Sequence, residues 1–345
     1  MKSVVYTRLG PPSVLELVER PLPAPGPGEV RVRVAVSGVN PSDAKRRQAG
    51  IFNTAMPFPE VTPNQDGAGV VDAIGDGVHH LSVGQRVWVY MAVFGRPTGT
   101  AQQYTVIPAE RAVPLPDVAS FDVGASLGVP AMTAHRALTV HEDGPSRLGP
   151  GALDGKTVLV AGGAGAVGHA AIQLARWAGA TVITTVSSLE KAALAAAAGA
   201  HHTVNYRFDG AAETIRGNAA DGVDVVVEVG VVRNAELLSA VVADRAVVSV
   251  YANDGGTDAS LPITPNWTAA NVRFQFVLVY TMGQTALDAA AEDITAALTE
   301  RVLEVGQDAG LPITRFALAH TPQAHAAVED GVVGKILIEV DDAVA

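Results

Sequence analysis

Short apolar runs separated by turns dominate the N-terminal part of the chain. Residues 30–36 alternate apolar and polar side chains with a period of two, and residues 69–74 and 86–90 follow a similar pattern. A period of two is typical of half-buried strands, and glycine-containing turn signals separate the runs. Up to about residue 125, the pattern therefore predicts a small, strongly bent β domain.

The hydrophobic pattern changes between about residue 126 and residue 280, where short apolar runs of the buried type alternate with helical stretches. This alternation is typical of a parallel, doubly wound sheet. The remainder is expected to return to the first domain, and we predict boundaries at 1–128, 129–283 and 284–345. The predicted strands and helices of the later regions, in order, are 157–161, 166–178, 181–186, 190–198, 223–229, 287–305 and 335–340.

The composition restricts the chemistry that the chain can carry. The 345 residues include no cysteine, so disulfides, thiolate nucleophiles, thiolate zinc sites and iron–sulfur clusters are excluded. The formal net charge is −11, which argues against a nucleic acid or an anionic membrane as partner. No apolar run has the length of a signal segment or a membrane span, and the expected location is the cytoplasm.

A glycine-rich loop is the strongest local signal. Residues 162–168 contain the G-x-G-x-x-G spacing at Gly163, Gly165 and Gly168, between a predicted strand and a predicted helix. Glycines in this setting let the backbone approach a pyrophosphate, which then binds the free amides at the helix N-terminus. Because a further strand completes a β-α-β unit, the loop predicts a dinucleotide site.

The residues after the second strand of that unit indicate which dinucleotide binds. NAD-binding proteins usually place an acid there, which accepts a hydrogen bond from the ribose hydroxyl. Here Ser187 and Ser188 are followed by Lys191, and two hydroxyls with a cation suit a 2′-phosphate. Glu190 is the nearest acid and the alternative reader for NAD. The sequence favours NADPH.

Several motifs follow one another in order along nearly the whole chain. They are V-N-P-S-D at 39–43, D-G-A-G-V-V at 66–71 leading to G-Q-R-V at 84–87, V-P-A-M-T-A at 129–134, the glycine loop, V-N-Y-R at 204–207 and G-K-I at 334–336. Together they resemble the zinc-independent quinone oxidoreductases, the zeta-crystallin-like group of the medium-chain dehydrogenase/reductase superfamily. The resemblance implies an α/β fold, in which a Rossmann doubly wound parallel sheet accompanies a GroES-like β-barrel domain.

The resemblance also implies roles for individual residues. Asn40, Asp43, Lys45 and Thr133 would flank the nicotinamide and the substrate. Asn-Pro-Ser-Asp is also a good turn sequence, so a structural role for Asn40 and Asp43 is the alternative. The cofactor would be held by Ala164, Gly165, Ala166, Val167 and Gly168 at the pyrophosphate, by Ser187, Ser188, Lys191 and Tyr206 at the 2′-phosphate, and elsewhere by Asn253, Leu278, Tyr280, Gly334 and Lys335.

The zinc-dependent relatives provide an informative contrast. They have a cysteine where Asn40 stands and Gly-His-Glu where residues 64–66 stand, so no metal is expected here. Without a metal to stabilise an alkoxide, the expected reaction is hydride transfer from NADPH to an electrophilic small molecule, a quinone or another α,β-unsaturated carbonyl compound. The alternatives are an enoyl or enone reductase dedicated to one pathway substrate, and a non-catalytic, NADPH-binding structural protein.

The segment 271–280 alternates at first and then becomes continuously apolar. An edge strand this apolar aggregates unless it is covered. The resemblance implies that it pairs with the same strand of a second copy, which predicts a homodimer. A strand buried within its own chain is the alternative.

Overall fold

The computed structural model describes residues 1–48, 54–252 and 260–340. The chain divides into two compact units. The first comprises Met1–Val129 and Pro312–Ala345, and the second comprises Pro130–Leu311. The first unit is therefore discontinuous in sequence, and each unit has its own sheet and its own apolar core.

The strands and helices follow the hydrophobic pattern of the sequence closely. The first part of the chain contains β1 (Lys2–Val5), β2 (Glu16–Glu19), β3 (Glu29–Val39), α1 (Pro41–Arg47), β4 (Asp66–Ile74), β5 (Arg86–Val89), β6 (Tyr104–Pro108), β7 (Ala112–Pro114), α2 (Phe121–Gly124) and α3 (Gly128–Leu138). There follow β8 (Thr157–Ala161), α4 (Ala166–Trp177), β9 (Thr181–Val186), α5 (Leu189–Ala197), β10 (His202–Asn205), α6 (Ala211–Asn218), β11 (Val223–Glu228), α7 (Val231–Val241), β12 (Val242–Val250), α8 (Pro265–Ala269), β13 (Arg273–Phe276) and α9 (Gln284–Thr299). The chain continues with β14 (Ile313–Ala317), α10 (Thr321–Glu329) and β15 (Lys335–Glu339).

The first unit is built on a seven-stranded sheet with the order β14-β15-β3-β4-β5-β7, in which β6 also pairs with β3. Its long central strand β3 pairs antiparallel with β4 and with β15. The alternation in β3 buries Val30, Val32 and Val34, which explains its pattern. This is the expected GroES-like architecture. It brings the end of the chain beside residues 36–39.

The second unit contains a six-stranded sheet with the order β10-β9-β8-β11-β12-β13. Every pair in it is parallel, so all strands end at the same edge of the sheet. The order reverses between β8 and β11, and such a switch point, at the carboxyl ends of the strands, is where ligands bind in doubly wound sheets. The expected Rossmann sheet is present.

The return to the first unit begins at Pro312, later than the expected residue 284. The helix α9 stays with the second unit because hydrogen bonds to its buried Asp293 tie it there. Asp293 accepts hydrogen bonds from His135 Nε2 at 2.8 Å and from the backbone N–H of Leu148 at 2.6 Å. Sequence periodicity identified this helix but carried no information on which unit it joins.

The strand expected over 271–280 is shorter in the structure, where β13 ends at Phe276. Val277 donates its N–H to Val250, after which a single 3-10 turn covers Val279–Thr281. Val277, Val279 and Tyr280 are buried, so the apolar run packs within its own unit rather than extending the sheet edge. The interpretation of 277–280 as a strand was therefore wrong.

Among the described residues, the helices lack the combination of length and apolar character that crossing a bilayer requires.

Candidate active site

The glycine loop joins β8 to α4 at the edge where the parallel strands end. Gly165 is the N-cap of α4, and Gly168 packs so tightly that an added Cβ would lie 2.4 Å from the carbonyl oxygen of Gly162. The N–H groups of Ala166, Val167 and Gly168 belong to the first turn of α4, where no preceding helical turn supplies carbonyl acceptors. Free amides at a helix N-terminus bind anions, so the loop fits a pyrophosphate.

The residues predicted to read the 2′-phosphate lie together at the ends of β9 and β10. Ser188 is the N-cap of α5 and accepts a hydrogen bond from the backbone N–H of Lys191 at 3.2 Å, which leaves its O–H free to donate. Tyr206 donates its backbone N–H to Val186 at 3.1 Å, which places it beside Ser187. Tyr206 is 48% exposed. These groups can form an open, donor-rich site.

The other residues proposed for the cofactor are spread more widely. Asn253 lies outside the described residues. Leu278, which follows β13, is 41% exposed, whereas Tyr280 is buried. Gly334 adopts a left-handed φ of 106° where an added Cβ would meet the carbonyl oxygen of Pro312 at 2.1 Å, so it serves the turn into β15. Lys335 is buried in the first unit.

Asn40 and Asp43 form the N-terminal capping box of α1. The Asp43 carboxylate accepts hydrogen bonds from the backbone N–H of Asn40 at 2.8 Å and from that of Gln65 at 3.1 Å. Both side chains are buried. Asp43 therefore anchors α1 to the residue preceding β4. This is the structural role that the turn sequence Asn-Pro-Ser-Asp offered as the alternative to a role at the substrate.

The Asn40 carboxamide has a different set of partners. Its Nδ2 donates to Asp66 Oδ2 at 2.7 Å, and its Oδ1 accepts from Lys335 Nζ at 2.7 Å. The other Asp66 oxygen accepts from the backbone N–H of Val129 at 2.9 Å. One amide thus connects a buried carboxylate with a buried ammonium.

Burial perturbs the pKa values of the ionisable side chains in this cluster. Burial, followed by the nearby charge of Asp66, raises the pKa of Asp43 to about 7. Burial also raises the pKa of Asp66, although the Lys335 charge and the Asn40 hydrogen bond oppose this. Burial lowers the pKa of Lys335, against the attraction of Asp66 and Asp43. Asp43 is therefore the member of this cluster whose pKa burial brings close to neutral pH.

The remaining candidates, Lys45 and Thr133, belong to different units. Lys45 is exposed on α1, and Thr133 is buried on α3. The neighbouring Arg47 is buried and donates to the carbonyl of Gly10 and to Glu329, so it ties α1 to α10 rather than facing a ligand.

The cluster does not fit a metal ion. An ammonium lies 2.7 Å from Asn40 Oδ1, and it supplies the positive charge that a bound cation would otherwise bring. Both Asp66 oxygens already accept hydrogen bonds. Over the ranges that the structure describes, no group of three or more His, Asp or Glu side chains could hold a metal.

Sequence reasoning missed polar contacts in both units. Asn64 has a left-handed φ of 77° and accepts a hydrogen bond from His325 Nε2 at 2.9 Å, although the two are 261 positions apart. In the second unit, Glu228 ends the apolar strand β11 and accepts from the Asn234 amide at 2.8 Å. An acid directly after the apolar run Val225-Val226-Val227 is the sequence signal by which Glu228 could have been found. No local sequence pattern indicated the partner of Asn64.

We expect Asp43→Asn to change how stability depends on pH. Folding raises the pKa of Asp43 to about 7, so the folded protein binds the proton of this carboxyl group more tightly than the unfolded chain does. The contribution of Asp43 is therefore present at acid pH and is lost as pH rises through about 7. The melting temperature of wild type should fall relative to that of Asp43→Asn between about pH 5 and about pH 8. A difference that stays constant across this range would contradict the assignment.

Two family descriptions match the chain. "Alcohol dehydrogenase GroES-like domain" matches residues 26–117, and "Zinc-binding dehydrogenase" matches residues 166–296. Among curated proteins, the rat quinone oxidoreductase is 33% identical over 232 residues. That alignment covers 66% of this chain and 66% of the rat protein, so the match spans about two thirds of the relative.

The similarity to solved structures extends over the whole chain. An NAD-dependent alcohol dehydrogenase gives a TM-score of 0.85 at 26% identity and covers 99% of this chain and 100% of its own. A mycobacterial protein solved in complex with NADPH gives 0.80 at 28% identity, covering 98% and 100%. The chain therefore belongs to the medium-chain dehydrogenase/reductase superfamily and, within it, to the zeta-crystallin-like group of quinone oxidoreductases.

Proposed function

We propose that the protein is an NADPH-dependent reductase that transfers a hydride to a quinone or another α,β-unsaturated carbonyl compound. The observation that carries the proposal is the edge of the second sheet, where the free amides of the glycine loop lie at the end of β8 and Ser187, Ser188, Lys191 and Tyr206 follow β9 and β10. The amides of the glycine loop suit a pyrophosphate, and the side chains that follow β9 and β10 suit a 2′-phosphate.

The neighbouring acid Glu190 is the alternative reader of the 2′ position. Glu190 is exposed on the first turn of α5, and Ser188 caps the same helix. The Lys191 ammonium would provide a charge-assisted hydrogen bond to a 2′-phosphate, which a ribose hydroxyl cannot use equally well. The proposal for NADPH rather than NADH rests on this difference.

When bound, NADPH would supply a hydride, which is one proton with two electrons, to a carbon that is conjugated with a carbonyl group. The electron pair then moves to the carbonyl oxygen of the acceptor, and a proton from water completes the hydroquinone or the saturated ketone. The chain's task is to place the acceptor and to stabilise the oxygen on which negative charge develops.

A panel of acceptors tests the proposal. NADPH oxidation is followed by its absorbance with simple quinones, with enones and with no acceptor. Faster oxidation with quinones supports a general quinone reductase, and turnover of enones alone supports the dedicated enone reductase. Tight NADPH binding without turnover of any electrophile would favour the non-catalytic alternative and overturn the proposal.

We expect Lys191→Ala to raise the KM for NADPH by about 10-fold or more and to leave the KM for NADH nearly unchanged, since a hydrogen bond to a charged group contributes about 1.5–3 kcal/mol. Steady-state kinetics with both cofactors measure this. Glu190→Ala is the matched control, because Glu190 lies one position earlier and is exposed. If Glu190→Ala instead raises the KM for NADH, Glu190 reads the ribose hydroxyl and the preference for NADPH is wrong.

We also propose that the protein is a homodimer formed through β13. This strand is at the edge of the six-stranded sheet, and Phe276 at its end is 72% exposed. Ile263 and Leu278, close to it in sequence, are 82% and 41% exposed. An uncovered apolar edge is a template for pairing with a second chain.

Phe276→Lys should shift the protein from dimer to monomer, because a charge at the pairing edge opposes association. Light scattering coupled to size-exclusion chromatography measures the mass directly. Val83→Lys is the control, since Val83 is 65% exposed but lies in the other unit. A wild-type monomer, or a Phe276→Lys dimer of unchanged affinity, would rule out this interface.

A further inference from the structure

The second unit contains an open cavity of about 490 Å³. It is lined by the last turns of α4 and α5 and by residues of the segment 302–309, which follows α9. All of these residues belong to the second unit. Small-molecule sites in proteins occupy about 300–1,000 Å³, so the cavity is large enough for a ligand.

The helix α4 separates this cavity from the proposed pyrophosphate site. It has 12 residues and begins at the glycine loop, so at about 1.5 Å per residue its two ends lie about 18 Å apart. The cavity is at the far end, where Arg176 and Trp177 close the helix. A ligand of the cavity is therefore a second molecule, separate from a cofactor bound at the glycine loop.

Hydrogen bonds and close packing hold the walls of the cavity in place. Gln173, which is buried, donates its Nε2 to the carbonyl oxygen of Glu304 at 3.2 Å. The indole of Trp177 donates its Nε1 to Glu300 Oε2 at 2.8 Å. Gly310 lies so close to α5 that an added Cβ would be 2.1 Å from a carbonyl oxygen of that helix. Binding to such a preformed cavity loses little free energy to ordering of the protein.

The cavity carries one positively and one negatively charged side chain. Arg176 is exposed, and its aliphatic stem lies over Gly199, where an added Cβ would be 3.6 Å from Arg176 Cγ. Glu304, on the opposite segment, is partly exposed. Ala197 and Ala198 are the last positions of α5, and carbonyl groups at a helix C-terminus add partial negative charge. A ligand that satisfies both charges must itself carry both.

We propose that this cavity binds an aromatic α-amino acid as a zwitterion. Its carboxylate pairs with the Arg176 guanidinium, which can form two parallel hydrogen bonds with it. Its ammonium group pairs with the Glu304 carboxylate, and its ring packs against the Trp177 indole and Val302. The proposal does not depend on the reductase function, because the cavity and the glycine loop are at opposite ends of α4.

The fluorescence of Trp177 provides a direct readout of binding. Trp177 is partly exposed and lines the cavity, whereas the two other tryptophans of the chain, Trp88 and Trp267, are buried. Titration with L-phenylalanine should change the tryptophan fluorescence of wild type, and the change should be lost in Trp177→Phe. A change of the same size in Trp177→Phe would show that the amino acid binds elsewhere and would overturn the inference.

Calorimetric titration with three related compounds tests the two charges separately. Phenylpropionate lacks the ammonium group of L-phenylalanine, and phenethylamine lacks its carboxylate. L-Phenylalanine should bind at least about 10-fold more tightly than either, since each loses a hydrogen-bonded ion pair. Arg176→Gln should weaken phenylpropionate binding alone among these two, and Glu304→Gln should weaken phenethylamine binding alone. Glu304→Gln keeps the backbone carbonyl that Gln173 contacts.

The matched control is Arg216→Gln, because Arg216 is also exposed and lies on α6 of the same unit, outside the cavity. It should leave the affinity for L-phenylalanine at the wild-type value. The inference is overturned if wild type does not bind L-phenylalanine, if Arg216→Gln weakens binding as much as Arg176→Gln does, or if NADPH displaces the amino acid completely. Turnover of quinones or enones has no bearing on these outcomes, so a failure of the proposed reductase function is distinguished from a failure of this site.

Discussion

The buried ammonium of Lys335 constrains the whole first unit. A charge this deeply buried requires partners, and its partners lie at the end of β3 and at the start of β4. The returning strand β15 can meet them in one register only, with Ile336 opposite Val39. A slip by one residue would turn Lys335 to the other face of the sheet and bring an isoleucine against Asn40.

The two units present their candidate chemistry in different ways. In the second unit, the proposed pyrophosphate site consists of main-chain amides at the start of α4, and side chains matter there mainly by being absent, as at Gly168. In the first unit, the orientation of the buried Asn40 amide depends on two other side chains, Asp66 and Lys335. Backbone sites depend on local sequence, and side-chain networks depend on distant residues.

This difference explains which expectations agreed with the structure. Strands and helices whose patterns were local, such as β8, β9 and α4, occur within one residue of the expected bounds. The run after Phe276 was assigned wrongly because an apolar segment looks the same whether it extends a sheet or packs inside its unit. The partners of Asn40 could not be expected from local pattern, since Lys335 is 295 positions away.

The sequence by itself determined the type of each unit, the glycine loop, the hydroxyl and lysine residues after the second strand of the parallel sheet, and the absence of thiolate ligands. All of these follow from periodicity, spacing or residue type over short stretches. Only the tertiary structure decided that α9 remains with the second unit, that Asp43 caps a helix, and that Lys335 faces Asn40. Those outcomes depend on which distant groups satisfy one another once water is excluded, and chain order does not specify that pairing.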